Sequence, residues 1–211
     1  MAKQGDPVCM RKNGDSMEYD NLKRCVEGAI KLIYTREAYL ITHSLSEWTL
    51  SAQFHYYMRK EGQKFLKGFS FDSEYNFMAK ITDKGLAQKY ICVNGELLRV
   101  RPDFIIHKRD NQTGNFLWVE MKRREGKGWK NDLNRVKAVT RASVNENGLG
   151  YVTGYTYGLG VLLHKRSVLC KWFVDGNEHG GRIMSKDRSG AWKWSDAPVD
   201  VCGCLLSGRR D

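Results

Sequence analysis

Two carboxylates and a lysine punctuate a pair of apolar runs in "RPDFIIHKRDNQTGNFLWVEMKRR", residues 101–124. The runs are separated by Asp110, Asn111, Gln112, Thr113 and Gly114, a cluster of turn formers. If they pair as a hairpin turning about Asn111 and Gln112, Asp103 faces Glu120 and Arg101 faces Lys122. Carboxylates directly opposite on one sheet face lie roughly 5 Å apart and repel. A cation must then lie between them, either a metal ion or Lys122, which sits two residues along on the same face. A salt-bridged trio of Asp103, Glu120 and Lys122 on a solvent-facing strand would balance the charges without any function. The neighbours Phe104, Ile105, Ile106, Phe116, Leu117, Trp118 and Val119 describe instead a strand pair buried on both faces. Charges there are costly unless they do chemistry.

The elements that must position these residues follow from periodicity. With 211 residues, 41% of them hydrophobic, the chain can bury one substantial core, which argues for a single domain over 1–211. Leu22, Val26, Ala29, Ile30, Ile33 and Tyr34 fall at helical spacing within 17–40, and Leu45 to Tyr57 suggests a second helix. "FSFDSEYNFMAKI" alternates and reads as the first strand, 82–96 as a loop, Leu97 to Ile106 as the second strand and Phe116 to Val119 as the third. Leu133, Val136, Val139 and Ala142 predict a helix over 129–143, and "GYTYGLGVLL" and "VLCKWFV" predict closing strands joined by His164 to Ser167. The core then spans about 44–175, with an N-terminal helical extension over 1–43. The Gly-rich, charged stretch 176–211 reads as a loosely structured extension with Trp192 and Trp194 exposed.

A formal charge of +11 suits a polyanionic partner, or a basic surface that only aids solubility. No run approaches the roughly 18–20 apolar residues of a membrane span, and the charged first 20 residues carry no apolar leader, so a soluble intracellular protein is expected. The six cysteines have no regular spacing and read as reduced thiols. Cys202 and Cys204 with His179 would make only half of a zinc site, at poor spacing.

Pro102-Asp103, a sixteen-residue spacer and Glu120-Met121-Lys122 resemble the signature of the PD-(D/E)XK nuclease superfamily. The resemblance covers about 44–175, and further pieces fall in order: Glu47 on a helix, Glu74-Tyr75-Asn76, Arg101-Pro102-Asp103, then Asp132 with Arg135 on a helix. It implies an α/β fold with a restriction-endonuclease-like mixed central β-sheet flanked by helices, and a metal-dependent nuclease using Mg²⁺ or Mn²⁺. Asp103, Glu120 and the Met121 backbone carbonyl would then hold the metal, with Glu74 as a further acid, Lys122 beside the attacking water and Glu47 reached through water. Three of these acids also have structural readings. Glu47 fits a capping box begun by Ser44, Asp132 a helix N-terminal acid, and Glu74 a surface acid.

The basic run Arg123, Arg124, Lys127, Lys130 and Arg135 would border the site and hold a nucleic-acid backbone, DNA ahead of RNA, or else form a solvated helix face. No base-reading motif is present. A phage or other prokaryotic setting, and two chains pairing as a homodimer to cut both strands, would suit the resemblance. Two other functions fit the same residues: a nucleic-acid-binding or regulatory module that no longer cuts, and an interaction factor anchored by Trp192 and Trp194.

Overall fold

The structure is a computed structural model that describes residues 15–43, 45–75, 77–82, 85–109, 114–123, 127–141 and 154–197. Side chains are described from residue 18 onward, apart from those of 77–82, 85–88 and 127. Three helices come first, α1 (Asp15–Arg36), α2 (Ala38–Thr42) and α3 (Glu47–Gly62). They are followed by β1 (Ser70–Ser73), β2 (Phe77–Thr82), β3 (Gly85–Gln88), β4 (Tyr90–Val93), β5 (Glu96–Arg99), β6 (Phe104–His107) and β7 (Asn115–Lys122). Then α4 (Lys127–Val139) leads to β8 (Tyr157–Leu163), β9 (Ser167–Val174), β10 (Asn177–Lys186) and β11 (Trp192–Ala197).

The fold is α/β, with a mixed seven-stranded central sheet in the order β1-β6-β7-β8-β9-β10-β11. Only β7 and β8 run parallel, and α4 lies between them in sequence as the crossover that such a pair needs. Side chains alternate across the strands and divide the core in two. On one face Leu117, Val119 and Met121 pack with α1 and α3 through Ile30, Ile33, Leu50 and Phe54. On the other, Ile105 and Trp118 pack with Val136 and Val139 of α4. Tyr34 Oη lies 2.6 and 2.8 Å from the carbonyl oxygens of His164 and Ser167, which ties α1 to the β8–β9 turn.

The β6–β7 pairing takes the register expected of the hairpin, with Phe104 on Val119, Ile105 on Trp118 and Ile106 on Leu117. It slips by one at His107, which faces Asn115. Asn111 and Gln112 lie outside the described residues, as do Ala142 at the predicted end of the helix and the Cys202–Cys204 pair.

Several expected strands are redrawn. The first breaks at Glu74, whose φ of 50° takes the chain out of extended conformation. The stretch expected to be a loop holds the strands β3 and β4, which pair with β2 before it and β5 after it as two hairpins. The second of these turns at Asn94 and Gly95, whose φ values of 53° and 83° suit a two-residue hairpin turn. Leu97 to Ile106 is therefore not one strand: Leu97 and Leu98 pair with β4, Pro102 cannot donate to a ladder, and only Phe104 onward joins the main sheet.

The C-terminal stretch is corrected as well, since β10 and β11 extend the sheet instead of forming a loose tail. Asp175 and Gly176, with φ of 52° and 74°, make the tight turn that returns the chain antiparallel to β9. Trp192 and Trp194 pack against the main core, with the Trp192 ring 4.6 Å from that of Tyr34, and so are not free anchors. Among the described residues no helix is long and apolar enough to cross a membrane.

Candidate functional site

The candidate site forms where β7 ends. Asp103 stands one residue before β6, and its Oδ2 accepts the Met121 N–H at 2.6 Å. Its backbone carbonyl accepts the Ser51 hydroxyl of α3 at 3.0 Å, which fixes the strand entry against that helix. Glu120 is buried on the α4 face of the sheet. Its Oε1 accepts the Trp118 indole N–H at 3.1 Å, and Arg135 Nε lies 3.4 Å away.

Two glycines let α4 come this close. Gly160 and Gly158 are the ladder partners of Glu120 and Trp118. A Cβ on Gly160 would sit 2.5 Å from Leu133 Cδ2, and one on Gly158 2.5 Å from Val136 Cγ1. With no side chains in the way, α4 lies directly on β8 and brings Asp132 and Arg135 over the acids.

Lys122 Nζ lies 3.0 Å from Glu47 Oε2 and 3.5 Å from Asp132 Oδ2. Glu47 Oε1 accepts the Arg123 N–H at 3.2 Å, and the Arg123 guanidinium donates to the Leu45 carbonyl at 2.6 Å. Arg135 also pairs with Asp132. The capping-box reading of Glu47 gives way here: Ser46 is the N-cap, accepting the Thr49 N–H at 3.2 Å, and the Glu47 carboxylate turns to β7. Asp132 lies beyond the first turn of α4, so it is held by Lys122 and Arg135 and not by the helix terminus.

Burial dominates the electrostatics. It pushes the Glu120 carboxyl up to about 8, with the negative charge of Asp103 adding to the effect and Arg135 opposing it. Asp103 is pushed up to about 6, again first by burial, with the Met121 N–H opposing and Asp132 adding. Asp132 is raised by burial against the pull of Arg135 and Lys122. For Lys122, burial works to lower the proton affinity, but the Glu47 hydrogen bond and the Asp132 charge outweigh it and hold the ammonium above its ordinary value. The arrangement therefore sets two carboxyls of raised proton affinity beside a fixed ammonium.

The structure thus brings together Glu47, Asp103, Glu120, Met121, Lys122, Arg123 and Arg135. Glu74 is not joined to them by these bonds, and its carboxylate lies 3.3 Å from Arg101. Arg135, expected to contact a nucleic-acid backbone, is turned inward to Glu120 and Asp132. Lys130 is exposed on α4, while Arg124 and the Lys127 side chain lie outside the described residues. Among the described residues no group of three or more His, Cys, Asp and Glu side chains is gathered as a metal-binding set. In the arrangement seen, hydrogen bonds and cations already engage one oxygen of Asp103 (the Met121 amide), one of Glu120 (Trp118 and Arg135), and Glu47 and Asp132 through Lys122.

Two participants were missed from sequence, Trp118, which shares a strand face with Glu120 at i and i+2, and Lys89. The buried Lys89 Nζ donates to Tyr155 Oη at 2.9 Å and lies 5.8 Å from the Trp118 ring centroid. Burial pulls its proton affinity down to about 7, and a lone lysine among polar residues left no sequence signal for that. A separate cluster sits on the β1–β6 pair, where Asp72 bonds His107 at 2.8 Å and Arg109 at 2.5 and 3.0 Å. In comparisons with protein families, curated proteins and solved structures, nothing matches this chain.

Proposed function

We propose that the chain is a metal-dependent nuclease of the PD-(D/E)XK type, hydrolysing phosphodiester bonds in nucleic acid, DNA in preference to RNA. One observation carries the reading: Glu47 and Asp132 meet Lys122 at the carboxyl ends of the parallel strands β7 and β8, beside Asp103 and Glu120, two carboxyls whose burial lifts their proton affinity. Open α/β sheets place ligands at that end of their strands. The β1-β6-β7-β8 order with α4 crossing over is consistent with a restriction-endonuclease-like core.

The donor set fits a hard divalent cation, because its atoms are carboxylate oxygens and Mg²⁺ needs only a few of them. Asp103, Glu120 and the Met121 carbonyl would hold it, with Glu47 acting through water. When bound, Mg²⁺ or Mn²⁺ supplies Lewis-acid charge and an acidified water. The chain's own groups do the rest. Lys122 holds its proton and offers a fixed positive charge to the phosphoryl oxygens, while Glu47 and Asp132 hold that ammonium in place. The exposed Lys130 and the net charge of +11 favour a polyanionic substrate.

A second reading, a nucleic-acid-binding module that does not cut, draws on Arg135 and Lys122, which already neutralise the acids without a metal. Incubation of the purified chain with supercoiled plasmid, single-stranded DNA and RNA in Mg²⁺ or Mn²⁺ separates the two. Cleavage lost in both Asp103→Asn and Lys122→Ala supports the enzyme. Equal cleavage by all three proteins refutes it, and equal binding without cutting by any of them supports the module.

A further inference from the structure

Beside the acids lies a second opening, a cavity of about 250 Å³ between the β4–β5 hairpin and α4. That volume falls just below the roughly 300 Å³ at which pockets for drug-sized ligands begin, so it suits one flat ring system and not a whole nucleotide. Asn131 and Asn134, at i and i+3 on α4, line one side. Asn94 and Glu96 line the other, and Val93 and Leu98 supply apolar surface. Arg135 lines the cavity too, while its guanidinium pairs with Glu120 and Asp132, so cavity and acid cluster share one side chain.

The hairpin turn itself accounts for Asn94. Asn131 and Asn134 have no such reason to be there. Asparagine is a poor helix former, both are exposed, and neither side chain makes a hydrogen bond or ion pair among the described residues. Two carboxamides without a hydrogen-bond partner among the described residues and an exposed carboxylate thus face a small cavity next to the proposed site of phosphodiester cleavage.

We propose that this cavity binds a single nucleobase, adenine before uracil, thymine or guanine, from the nucleotide whose phosphate lies at the Asp103–Glu120 cluster. A carboxamide can donate to adenine N7 while accepting from its N6 amine, and Glu96 offers a further acceptor for that amine. Uracil and thymine have no amine to donate. Guanine is read best by a free guanidinium or ammonium, and Arg135 is committed to the acids. Val93 and Leu98 would cover part of the ring face. The inference rests on the nuclease reading for the identity of the phosphate, but base binding is measured independently of cleavage.

The test is a titration of the full chain with each of the four nucleoside 5′-monophosphates, without added metal, followed by the side-chain NH₂ signals of Asn131 and Asn134 in ¹H–¹⁵N spectra. Adenosine monophosphate is expected to shift both signals and to bind about tenfold more tightly than uridine monophosphate. Asn131→Ala with Asn134→Ala is expected to remove that preference, and because alanine is the better helix former the fold is not put at risk. No shift at either carboxamide with any of the four at millimolar concentration, or equal binding of the adenosine and uridine compounds, overturns the pocket. Cleavage by the wild type without these shifts sinks the pocket alone. Shifts without cleavage in Mg²⁺ or Mn²⁺ leave the pocket standing and sink the nuclease reading.

Discussion

Replacing Glu120 by glutamine should make the metal-free protein more stable near pH 8 and leave it unchanged near pH 5. Glu120 is buried, and its carboxyl is pushed from 4.5 up to about 8. Between those values the folded state keeps a proton that the unfolded state releases, so stability falls as pH rises through the window, by up to ~1.4 kcal/mol per pH unit. From pH 5 to pH 8 the ceiling is ~4 kcal/mol, and ~2–3 kcal/mol is expected after relaxation and water entry raise the effective dielectric. Glutamine keeps the Oε1 acceptor for the Trp118 and Arg135 N–H groups and carries no charge to bury. Lys89 pulls the other way: its proton affinity, lowered to about 7, adds stability as pH rises above that value. The difference between wild type and Glu120→Gln cancels this contribution, and urea denaturation of both proteins at pH 5, 6.5 and 8 measures it. A difference that stays flat across that range, or a wild type that gains on the variant toward pH 8, refutes the account of Glu120 as a buried, cation-seeking acid.

Gly160→Ala should destabilise by ~1–3 kcal/mol, because its Cβ would sit 2.5 Å from Leu133 Cδ2 and must push α4 off β8; thermal unfolding measures the loss, and a change below ~0.5 kcal/mol would deny the close approach. Arg135→Gln should cost ~1–3 kcal/mol of metal-free stability by taking one of the two cations from Asp132 and a donor from Glu120, with Mn²⁺ restoring more stability to the variant than it adds to wild type; unfolding with and without Mn²⁺ tests this, and equal Mn²⁺ gains in both proteins count against it. Lys122→Ala should abolish cleavage at a cost of only ~1 kcal/mol, since Asp132 keeps Arg135 and Glu47 is partly exposed; a collapse of the fold would show the lysine to be structural. Lys89→Met should stabilise the protein most at pH 5–6, where the buried amine must carry a charge, and equal effects at pH 5 and 9 in denaturant melts would contradict that.

The β6–β7 register, from Phe104 on Val119 to Ile106 on Leu117, was legible because antiparallel register is set by local matters, a turn cluster flanked by two apolar runs. The helices at 17–40 and 129–143, the second helix beginning near Leu45 and the strands β8 and β9 were legible for the same reason, since each buries a face wide enough to leave its period in the residue types. The terminal hairpin β10–β11 was not, because its strands are largely solvent-facing and carry few apolar residues. Nor was the break within Leu97 to Ile106, where β5 leaves to pair with β4 and only Phe104 onward enters the main sheet.

By itself, the order of residues determined that Glu120 and Lys122 share one face of a strand and which apolar runs pair beside them, since side-chain period and turn position do not depend on the rest of the chain. Only the tertiary structure decided their surroundings. Gly158 and Gly160 admit α4, which brings Asp132 and Arg135 onto Glu120, and Glu47 crosses from α3 to meet Lys122. Proton affinities near 6 and 8 depend on burial and on charges from elements far apart in sequence, and no local pattern encodes those.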